Sequence, residues 1–336
     1  MFARYLTPNL KRNLLNSIQR AAYSTEYSVA TVFDRKVKQI QRDRAALNVT
    51  KSREVDYLKD EIAARVVDRL LDIKKRFHTV VDVGSGCGHV VKHLDEDIVS
   101  KVIQCELSEN MLHRDAAIKY DGKSLVEVER KVVDEEALPF EEDSLEAVVS
   151  SLSLHWVNDL PGALIQIRRA LKPDGVFIGA MFGGDTIYEL RTSLQLAELE
   201  REGGISPHVS PMADSRDLGS LLSRAGFNLT TVDVDEIVVN YPSPAELMSD
   251  LQAMGESNAV INSRGYLHRD TLLASHAIYK ELYGNPDGTI PATFQILYMI
   301  GWKPDPTQPK PKPRGSATTS LKDVLEDKAN PSPDLQ

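Results

Sequence analysis

The sequence predicts an α/β fold: a doubly wound sheet of seven strands flanked by helices, with a helical insert before the last strand. Three observations support this prediction. Apolar runs of strand length alternate with segments of helical period, as in strand–helix–strand units. The first such run, at 79–83, leads into a turn with three glycines. The next run ends in an acidic residue about 20 positions beyond that turn, a spacing typical of nucleotide-binding sheets.

The glycine-rich turn lies between the strand predicted at 79–83 and a helix predicted at 89–94. Glycine permits positive φ angles and lets the backbone approach a ligand closely. The dinucleotide pattern G-x-G-x-x-G fails at His89, so the turn is a candidate for another kind of ligand. The residues of interest in it are Asp82, Gly84, Gly86 and Gly88.

The second predicted strand, 101–106, ends in Glu106. An acidic side chain at this distance from a glycine turn is placed to accept hydrogen bonds from both hydroxyls of a ribose. Leu107 follows it, and Ser108 is a good N-cap for the next helix. A ligand that carries a ribose is therefore expected here.

The third and fourth predicted strands end at the same edge as the first two, because parallel strands direct their carboxyl ends to one side of the sheet. The third strand leads into Asp134 and Glu135. The fourth, 145–151, ends in Ser151. We expect these side chains to lie around the glycine turn.

The remaining elements follow the same reasoning, beginning with an amphipathic helix at 56–72. In order, the sequence predicts helix 160–171, turn 172–175, strand 176–181, a helix ended by Gly203 and Gly204, helix 214–225, strand 229–241, helical insert 245–283 and strand 293–302. Asp185 is the expected N-cap of the helix that follows it, and Glu198 and Glu202 are expected on the solvated face of that helix. A loop at 205–211 is expected above the ligand, where substrate enters.

Several motifs resemble those of the class I S-adenosylmethionine methyltransferases, a Rossmann-like family. They are D-x-G-x-G-x-G at 82–88, the acidic residue at 106, L-P-F at 138–140 and L-K-P-x-G at 171–175. The resemblance implies S-adenosyl-L-methionine as cofactor, with Asp134 and Glu135 near its adenine. It also implies that His155 and Trp156, which follow the fourth strand, lie nearest the reaction centre. The implied cofactor residues are Asp82, Gly84, Gly86, Gly88, Glu106, Leu107, Asp134, Glu135 and Ser151.

Further blocks resemble a narrower family, the mitochondrial complex I assembly factors described as arginine hydroxylases with a methyltransferase fold. These blocks lie at 150–161, 182–186, 200–204 and 254–258. The resemblance implies that the substrate is an arginine on an iron–sulfur subunit of mitochondrial NADH:ubiquinone oxidoreductase, modified early in assembly. It also implies contact with other assembly factors and peripheral association with the matrix side of the inner membrane.

A substrate arginine is expected to meet carboxylates and aromatic faces. The candidates on the substrate side are His155, Trp156, Asp185, Tyr188, Glu198, Glu202 and Glu256. Hydroxylation needs an oxidant, and two H-x-D strings, at 113–115 and 268–270, match an iron-binding pattern by letter. His276 lies too close to the second string to be the usual third ligand. We therefore predict no metal site, and the residues alone indicate no oxidation mechanism.

Composition narrows the functional class. The net charge of -9 over 336 residues argues against a general nucleic-acid binder. The two cysteines, Cys87 and Cys105, are too few for a cysteine zinc cluster, and the C-x-x-x-C-x-x-C iron–sulfur motif is absent from the sequence.

The chain divides into four predicted segments. Residues 1–25 are basic, amphipathic and free of acidic residues, as in a mitochondrial transit peptide. A charged N-terminal arm, anchored by Phe33, covers 26–53, and the methyltransferase-like domain covers 54–303. The tail, 304–336, is rich in proline and poor in apolar residues, and it is expected to be disordered.

Two other functions stay open. One is S-adenosylmethionine-dependent methyl transfer to a protein or a small carboxylate, since the L-x-L-H-W segment at 152–156 also resembles bacterial malonyl-carrier O-methyltransferases. The other is a non-catalytic chaperone that holds a subunit during assembly.

Overall fold

The computed structural model describes residues 31–118, 126–261, 263–310, 314–316 and 320. The strands are β1 Phe77–Val83, β2 Val99–Glu106, β3 Glu127–Val132, β4 Leu145–Ser151, β5 Leu171–Phe182, β6 Asn228–Tyr241 and β7 Ile290–Trp302. The helices are α1 Arg35–Leu47, α2 Val49–Glu54, α3 Tyr57–Leu71, α4 Glu109–His113, α5 Leu160–Ala170, α6 Tyr188–Glu202, α7 Ser215–Ala225, α8 Pro244–Ala253 and α9 Arg269–Tyr283. The predicted transit peptide and most of the predicted tail lie outside the described residues.

The seven strands form one sheet in the order β3-β2-β1-β4-β5-β7-β6. Strands β1 to β5 run parallel to one another, whereas β7 runs antiparallel to both β5 and β6. This confirms the predicted fold class. Because the parallel strands share a direction, their carboxyl ends lie at one edge of the sheet, which we call the carboxyl edge.

Helices cover both faces of the sheet, as the near-continuous apolar sequences of its inner strands require. On one face, α3 packs with α6 and α9, and the α3 stripe of Leu58, Ile62, Val66 and Leu70 is buried as predicted. On the other face, α5 and α7 pack against β4 and β5. No helix among the described residues is long and apolar enough to cross a bilayer.

The prediction of an α-helix after the glycine turn is wrong. The segment forms a single 3₁₀ turn, Val90–His93, because Val90 and Val91 are both buried and Lys92 is held by Asp60 of α3 at 2.7 Å. A turn of this length brings no extended helix dipole to the glycines. Ser108 does cap the short α4, since its Oγ accepts a hydrogen bond from the Met111 N–H.

The prediction that Asp185 is an N-cap is also wrong. Helix α6 begins at Tyr188, after Ile187, and Asp185 instead accepts a hydrogen bond from the Gln295 side chain at 3.1 Å. The reason lies in β7: the Ile187 N–H donates to the Thr293 carbonyl at 2.6 Å, so the chain pairs with β7 before it turns helical. The predicted insert is likewise divided into α8 and α9, and residues 254–261 and 263–268 between them are not helical.

The described part of the N-terminal arm, residues 31–53, is mainly helical and lies across the carboxyl edge. Its predicted anchor is confirmed, since Phe33 is 7% exposed and meets the Trp156 ring edge to face at 5.3 Å. The Asn158 side chain accepts hydrogen bonds from the Val32 and Phe33 N–H groups, both at 2.8 Å. Helix α1 therefore starts at the end of β4, over the expected ligand site.

Candidate functional site

The glycine turn is held against the end of β2 by backbone hydrogen bonds. The Gly84 and Ser85 N–H groups donate to the Cys105 carbonyl at 2.7 and 3.0 Å, and the Gly86 N–H donates to Glu106 Oε2 at 3.1 Å. Gly84, Gly86 and Gly88 have φ angles of 69°, 55° and 86°, which favour glycine. The turn is therefore fixed in place, and a side chain at Gly84 or Gly88 would collide with Ser153 or Gln104.

The predicted acids meet around two arginines of α1. Arg42 donates to Glu106 Oε1 at 2.9 Å and to Glu135 Oε1 at 3.3 Å, while Arg35 pairs with Asp134 at 2.9 Å and also with Glu135. Glu106 is fully buried, and its Oε1 also accepts the Ser108 N–H at 3.0 Å. The structure thus confirms that these acids lie together, and α1 fills the space in front of them.

Ion pairing keeps the Glu135 carboxyl charged. Burial opposes ionisation of Glu135, but Arg35 and Arg42 outweigh it and lower the pKa of Glu135 to about 2. The same carboxylate accepts a hydrogen bond from the Ser153 hydroxyl at 2.6 Å. Because each buried charge has a partner, the cluster is stable as long as α1 stays in place.

Asp82 differs from the other acids, because its two carboxyl oxygens are buried and have no hydrogen-bond partner among the described residues. Burial and the nearby Glu106 raise the pKa of Asp82 to about 8. The buried Ser85 hydroxyl also lacks a partner there. Unsatisfied buried polar groups beside a glycine turn and a ribose-type acceptor fit a polar ligand with hydroxyls and a cationic group.

An Asp82→Asn variant is expected to change how stability depends on pH. The folded-state pKa of about 8 exceeds the usual value of about 3.9, so the folded wild type binds the proton more tightly. The contribution of Asp82 to stability is then greatest below pH ~4 and falls, by on the order of a few kcal/mol, as the pH rises to about 8. Asparagine does not titrate, so the variant lacks this fall. Urea unfolding of both proteins across that range checks the prediction, and parallel profiles would contradict it.

On the substrate side, His155, Trp156 and Glu256 come together as a buried cluster. Glu256 accepts a hydrogen bond from Trp156 Nε1 at 2.6 Å, lies 3.3 Å from His155 Nε2, and pairs with Lys59 at 3.0 Å. Burial opposes ionisation of Glu256, but Lys59, His155 and Lys38 outweigh it and hold its pKa well below the usual value. Burial likewise lowers the pKa of His155.

A cavity of about 1120 Å³ opens beside this cluster, with Trp156, Glu256 and Ser257 in its wall. The other substrate-side candidates do not enter it. Asp185 is bound to Gln295, and Tyr188 is 40% exposed and packs against Tyr283; neither lines the cavity.

The prediction that Glu198 lies on a solvated face of α6 is wrong, because Glu198 is fully buried. Its carboxylate accepts the Ser206 N–H at 2.7 Å and lies 3.2 Å from His208 and 3.1 Å from Arg264. Glu202 pairs with Arg264 as well. Because His208 and Arg264 line the cavity, Glu198 holds the 205–211 loop at the cavity wall, and Glu202 helps to hold Arg264 there.

The last two predicted cofactor residues, Leu107 and Ser151, lie at the carboxyl edge. Neither side chain makes a hydrogen bond to another residue that the structure describes. The Leu107 carbonyl accepts a hydrogen bond from the Gln39 side chain of α1 at 3.1 Å. Ser151 is half-buried at the end of β4, paired in register with Ala180 of β5.

Sequence reasoning missed the most prominent feature of the site, the cations of α1. Arg35, Lys38 and Arg42 share one face of the helix, and Lys38 and Arg42 are buried. The signal was a helical segment without an apolar stripe, because such a helix needs polar partners to dock.

One group of side chains has the composition of a metal site. Among the described residues, Asp56, Asp60 and His89 place possible ligand atoms within 4.8 Å of one another. Lys92 lies 2.7 Å from Asp60, and Arg114 pairs with Asp56. These cations already balance the carboxylates, so the group is explained as an ion-pair network.

Comparison with known proteins agrees with this architecture. A family model described as a methyltransferase domain matches residues 55–232. Among solved structures, a proposed methyltransferase from Bacillus halodurans C-125 has a similar fold, with a TM-score of 0.51 and 20% identity, covering 71% of this chain and 98% of that one.

Curated relatives are more similar in sequence. The chain is 53% identical over 293 residues to "Arginine-hydroxylase NDUFAF5, mitochondrial" of Danio rerio, covering 87% of this chain and 89% of that protein. The Homo sapiens protein of the same name is 51% identical over 319 residues, covering 95% and 90%. The malonyl-[acyl-carrier protein] O-methyltransferase of Halorhodospira halophila is 33% identical over 251 residues, covering 74% and 82%.

Proposed function

Since this chain belongs to the family of the mitochondrial arginine hydroxylases NDUFAF5, which is built on a methyltransferase domain, we propose that it hydroxylates an arginine of an iron–sulfur subunit of NADH:ubiquinone oxidoreductase early in complex I assembly. The observation that carries the proposal is identity of 51–53% along most of both chains, far beyond what a shared fold requires. The buried Trp156 and Glu256 beside the cavity support it, since an aromatic face and a carboxylate suit a guanidinium.

The proposed cofactor is S-adenosyl-L-methionine, held at the carboxyl edge. Glu106 would accept hydrogen bonds from the ribose hydroxyls, and Asp82 would face the amino group, so a ligand would satisfy its unpartnered oxygens. Gly84, Gly86 and Gly88 would let the backbone approach it. When bound, this cofactor supplies an electrophilic methyl group and a positive charge. For Glu106 to reach the ribose, Arg42 has to release it.

Hydroxylation replaces one C–H bond of the substrate by C–O–H, which is a two-electron oxidation. The balance requires an oxygen donor; with dioxygen, one oxygen atom enters the product, and a reductant supplies two electrons and two protons to convert the other to water. The contribution proposed for this chain is to bind the arginine, orient it and exclude bulk water.

We also propose the cellular setting that this function requires. Residues 1–25 would act as a transit peptide, and the domain at 54–303 would work at the matrix side of the inner membrane, bound peripherally with other assembly factors. The relatives are named mitochondrial, which supports the compartment.

Mass spectrometry of the target subunit, from cells with and without this protein, tests the proposal. We expect one arginine to carry an additional oxygen atom only when the protein is present. An unmodified target in cells that contain the protein would contradict it.

Methyl transfer is the second candidate, favoured by 33% identity to a malonyl-[acyl-carrier protein] O-methyltransferase. It predicts a gain of one methyl group on a protein or carboxylate in place of the oxygen. A chaperone role is the third, favoured by the closed state in which α1 fills the site. It predicts failed assembly without the protein although the target is never modified.

A further inference from the structure

A buried ammonium occupies the boundary between the cofactor acids and the cavity. Lys38 of α1 places Nζ 3.4 Å from the centre of the Trp156 ring. The same Nζ donates hydrogen bonds to the carbonyls of Gly255 and Ser257 at 3.1 and 2.6 Å. We call the Trp156 ring and these two carbonyls the cation cage. It encloses Lys38 fully, since that side chain has no exposed surface.

Lysine is a costly occupant for such a place. Removing an ammonium from water costs several kcal/mol, and burial lowers the pKa of Lys38 well below its usual value. The carboxylate that attracts Lys38, Glu256, also pairs with Lys59. Arg42, Lys59 and Arg35 repel Lys38, so its release to solvent removes a desolvation cost and these repulsions, at the loss of its attraction to Glu256.

The cage fits a guanidinium better than an ammonium. A planar guanidinium stacks on an indole face and has five N–H donors, whereas an ammonium is a compact point charge with three. The indole ring supplies the face, and the two carbonyls supply acceptors beside it. Replacing Lys38 by an arginine side chain from outside would keep these contacts and add stacking.

The position of the cage suits a substrate group. Lys38 and Arg42 are one helical turn apart, roughly 5–6 Å, and Arg42 lies on Glu106, the expected ribose acceptor. The cation cage therefore lies roughly one helical turn of α1 away from the cofactor acids. The cage also borders the cavity of about 1120 Å³, whose wall includes Trp156, Glu256 and Ser257. A side chain that enters the cavity can therefore approach the cage.

Helix α1 is attached in a way that permits its release. Its buried residues are Lys38, Arg42, Ala45 and Ala46, so it docks through cations and buries little apolar surface. A helix held by apolar side chains would lose roughly 25 cal/mol for each Å² exposed on leaving. Here a ligand that brings its own cation and hydroxyls can replace the contacts that α1 makes.

From these observations we infer that the cation cage is the binding subsite for the guanidinium of the target arginine, and that Lys38 of α1 occupies it as an internal substitute until substrate displaces the helix. The inference rests on the proposed function, whose substrate is an arginine. It adds the location of the guanidinium and the segment that must move.

The test uses the full-length protein and a small probe, Nα-acetyl-L-arginine amide, in isothermal titration calorimetry. Lys38→Ala empties the cage, and Lys36→Ala removes a lysine from the exposed face of the same helix. Because a closed site reduces apparent affinity by the fraction of open molecules, we expect Lys38→Ala to bind the probe at least about tenfold more tightly than wild type or Lys36→Ala. The double variant Lys38→Ala/Trp156→Leu should lose this increase in affinity for the arginine probe. The uncharged Nα-acetyl-L-norleucine amide should bind Lys38→Ala no more tightly than it binds wild type.

Equal affinity in Lys38→Ala and Lys36→Ala, or a gain that survives Trp156→Leu, would overturn the inference. If Lys38→Ala does not fold, hydrogen exchange of the wild type decides: the amides of Arg35–Leu47 should exchange faster as the probe is added, and unchanged exchange over the whole titration overturns it. Its failure is distinct from failure of the proposed function. If only the inference about the cation cage fails, the target arginine is still hydroxylated in cells. If the proposed function fails, the probe still binds in the cage but the target arginine is unmodified.

Discussion

A Glu256→Gln variant is expected to lose about 3–5 kcal/mol of unfolding free energy, because it removes the partner of buried cations. Glu256 is 3% exposed, pairs with Lys59 at 3.0 Å and accepts the Trp156 Nε1–H at 2.6 Å. Glutamine has the same shape but carries no charge, so Lys59 and Lys38 would remain buried without it. Thermal unfolding should show a midpoint lower by roughly 10 °C.

The loss should depend on pH in a defined direction. The folded-state pKa of Glu256 lies well below its usual value, so its contribution is present above the unfolded pKa of about 4.3 and is lost as the pH falls through the folded pKa. Wild type and variant should therefore become more similar in strong acid. Glu54→Gln is the matched control, since that side chain is 61% exposed and should change stability by less than about 0.5 kcal/mol. A loss of under 1 kcal/mol in Glu256→Gln would contradict the role of Glu256.

The second large effect is expected on cofactor binding in a Glu106→Gln variant. A carboxylate that accepts two ribose hydroxyls contributes roughly 1.5–3 kcal/mol for each charged hydrogen bond. Its loss should weaken the binding of S-adenosylmethionine by about 100-fold or more, measured by calorimetry on the full-length protein. Glu109→Gln, on the exposed start of α4, is the control and should bind as the wild type does.

A Gly86→Val variant tests the same site from the backbone side. Gly86 has a φ of 55°, which a β-branched residue adopts only under strain, and its N–H donates to Glu106. We expect this variant also to lose binding. Undiminished affinity in both Gly86→Val and Glu106→Gln would show that the turn does not hold this cofactor.

Local patterns along the chain were sufficient to predict the strands of the sheet and the acidic residues at its carboxyl edge. The strand β4 was predicted with its observed bounds, and Glu106 ends β2 as expected, while Asp134 lies two residues beyond the end of β3. These predictions succeed because strand period, glycine turns and caps are decided by neighbours a few residues apart. Parallel pairing then brings separate strand ends to one place.

Predictions that depended on distant partners failed or were incomplete. Glu198 was assigned to a solvated face, but the 206–208 loop and Arg264 cover it. Asp185 has the residue type of an N-cap, yet pairing with β7 delays the helix. In both cases a side chain of ordinary local character is redirected by a segment far along the chain.

The sequence alone determined the fold class, the glycine turn with Glu106, and the family of arginine hydroxylases to which the chain belongs. The tertiary structure decided what occupies the site: Arg35 and Arg42 on the acids, Lys38 in the cation cage, and Glu256 joined to Trp156 across 100 positions of sequence. The physical reason is that hydropathy describes a charged side chain as solvated, whereas its burial depends on whether the folded chain brings an opposite charge to it.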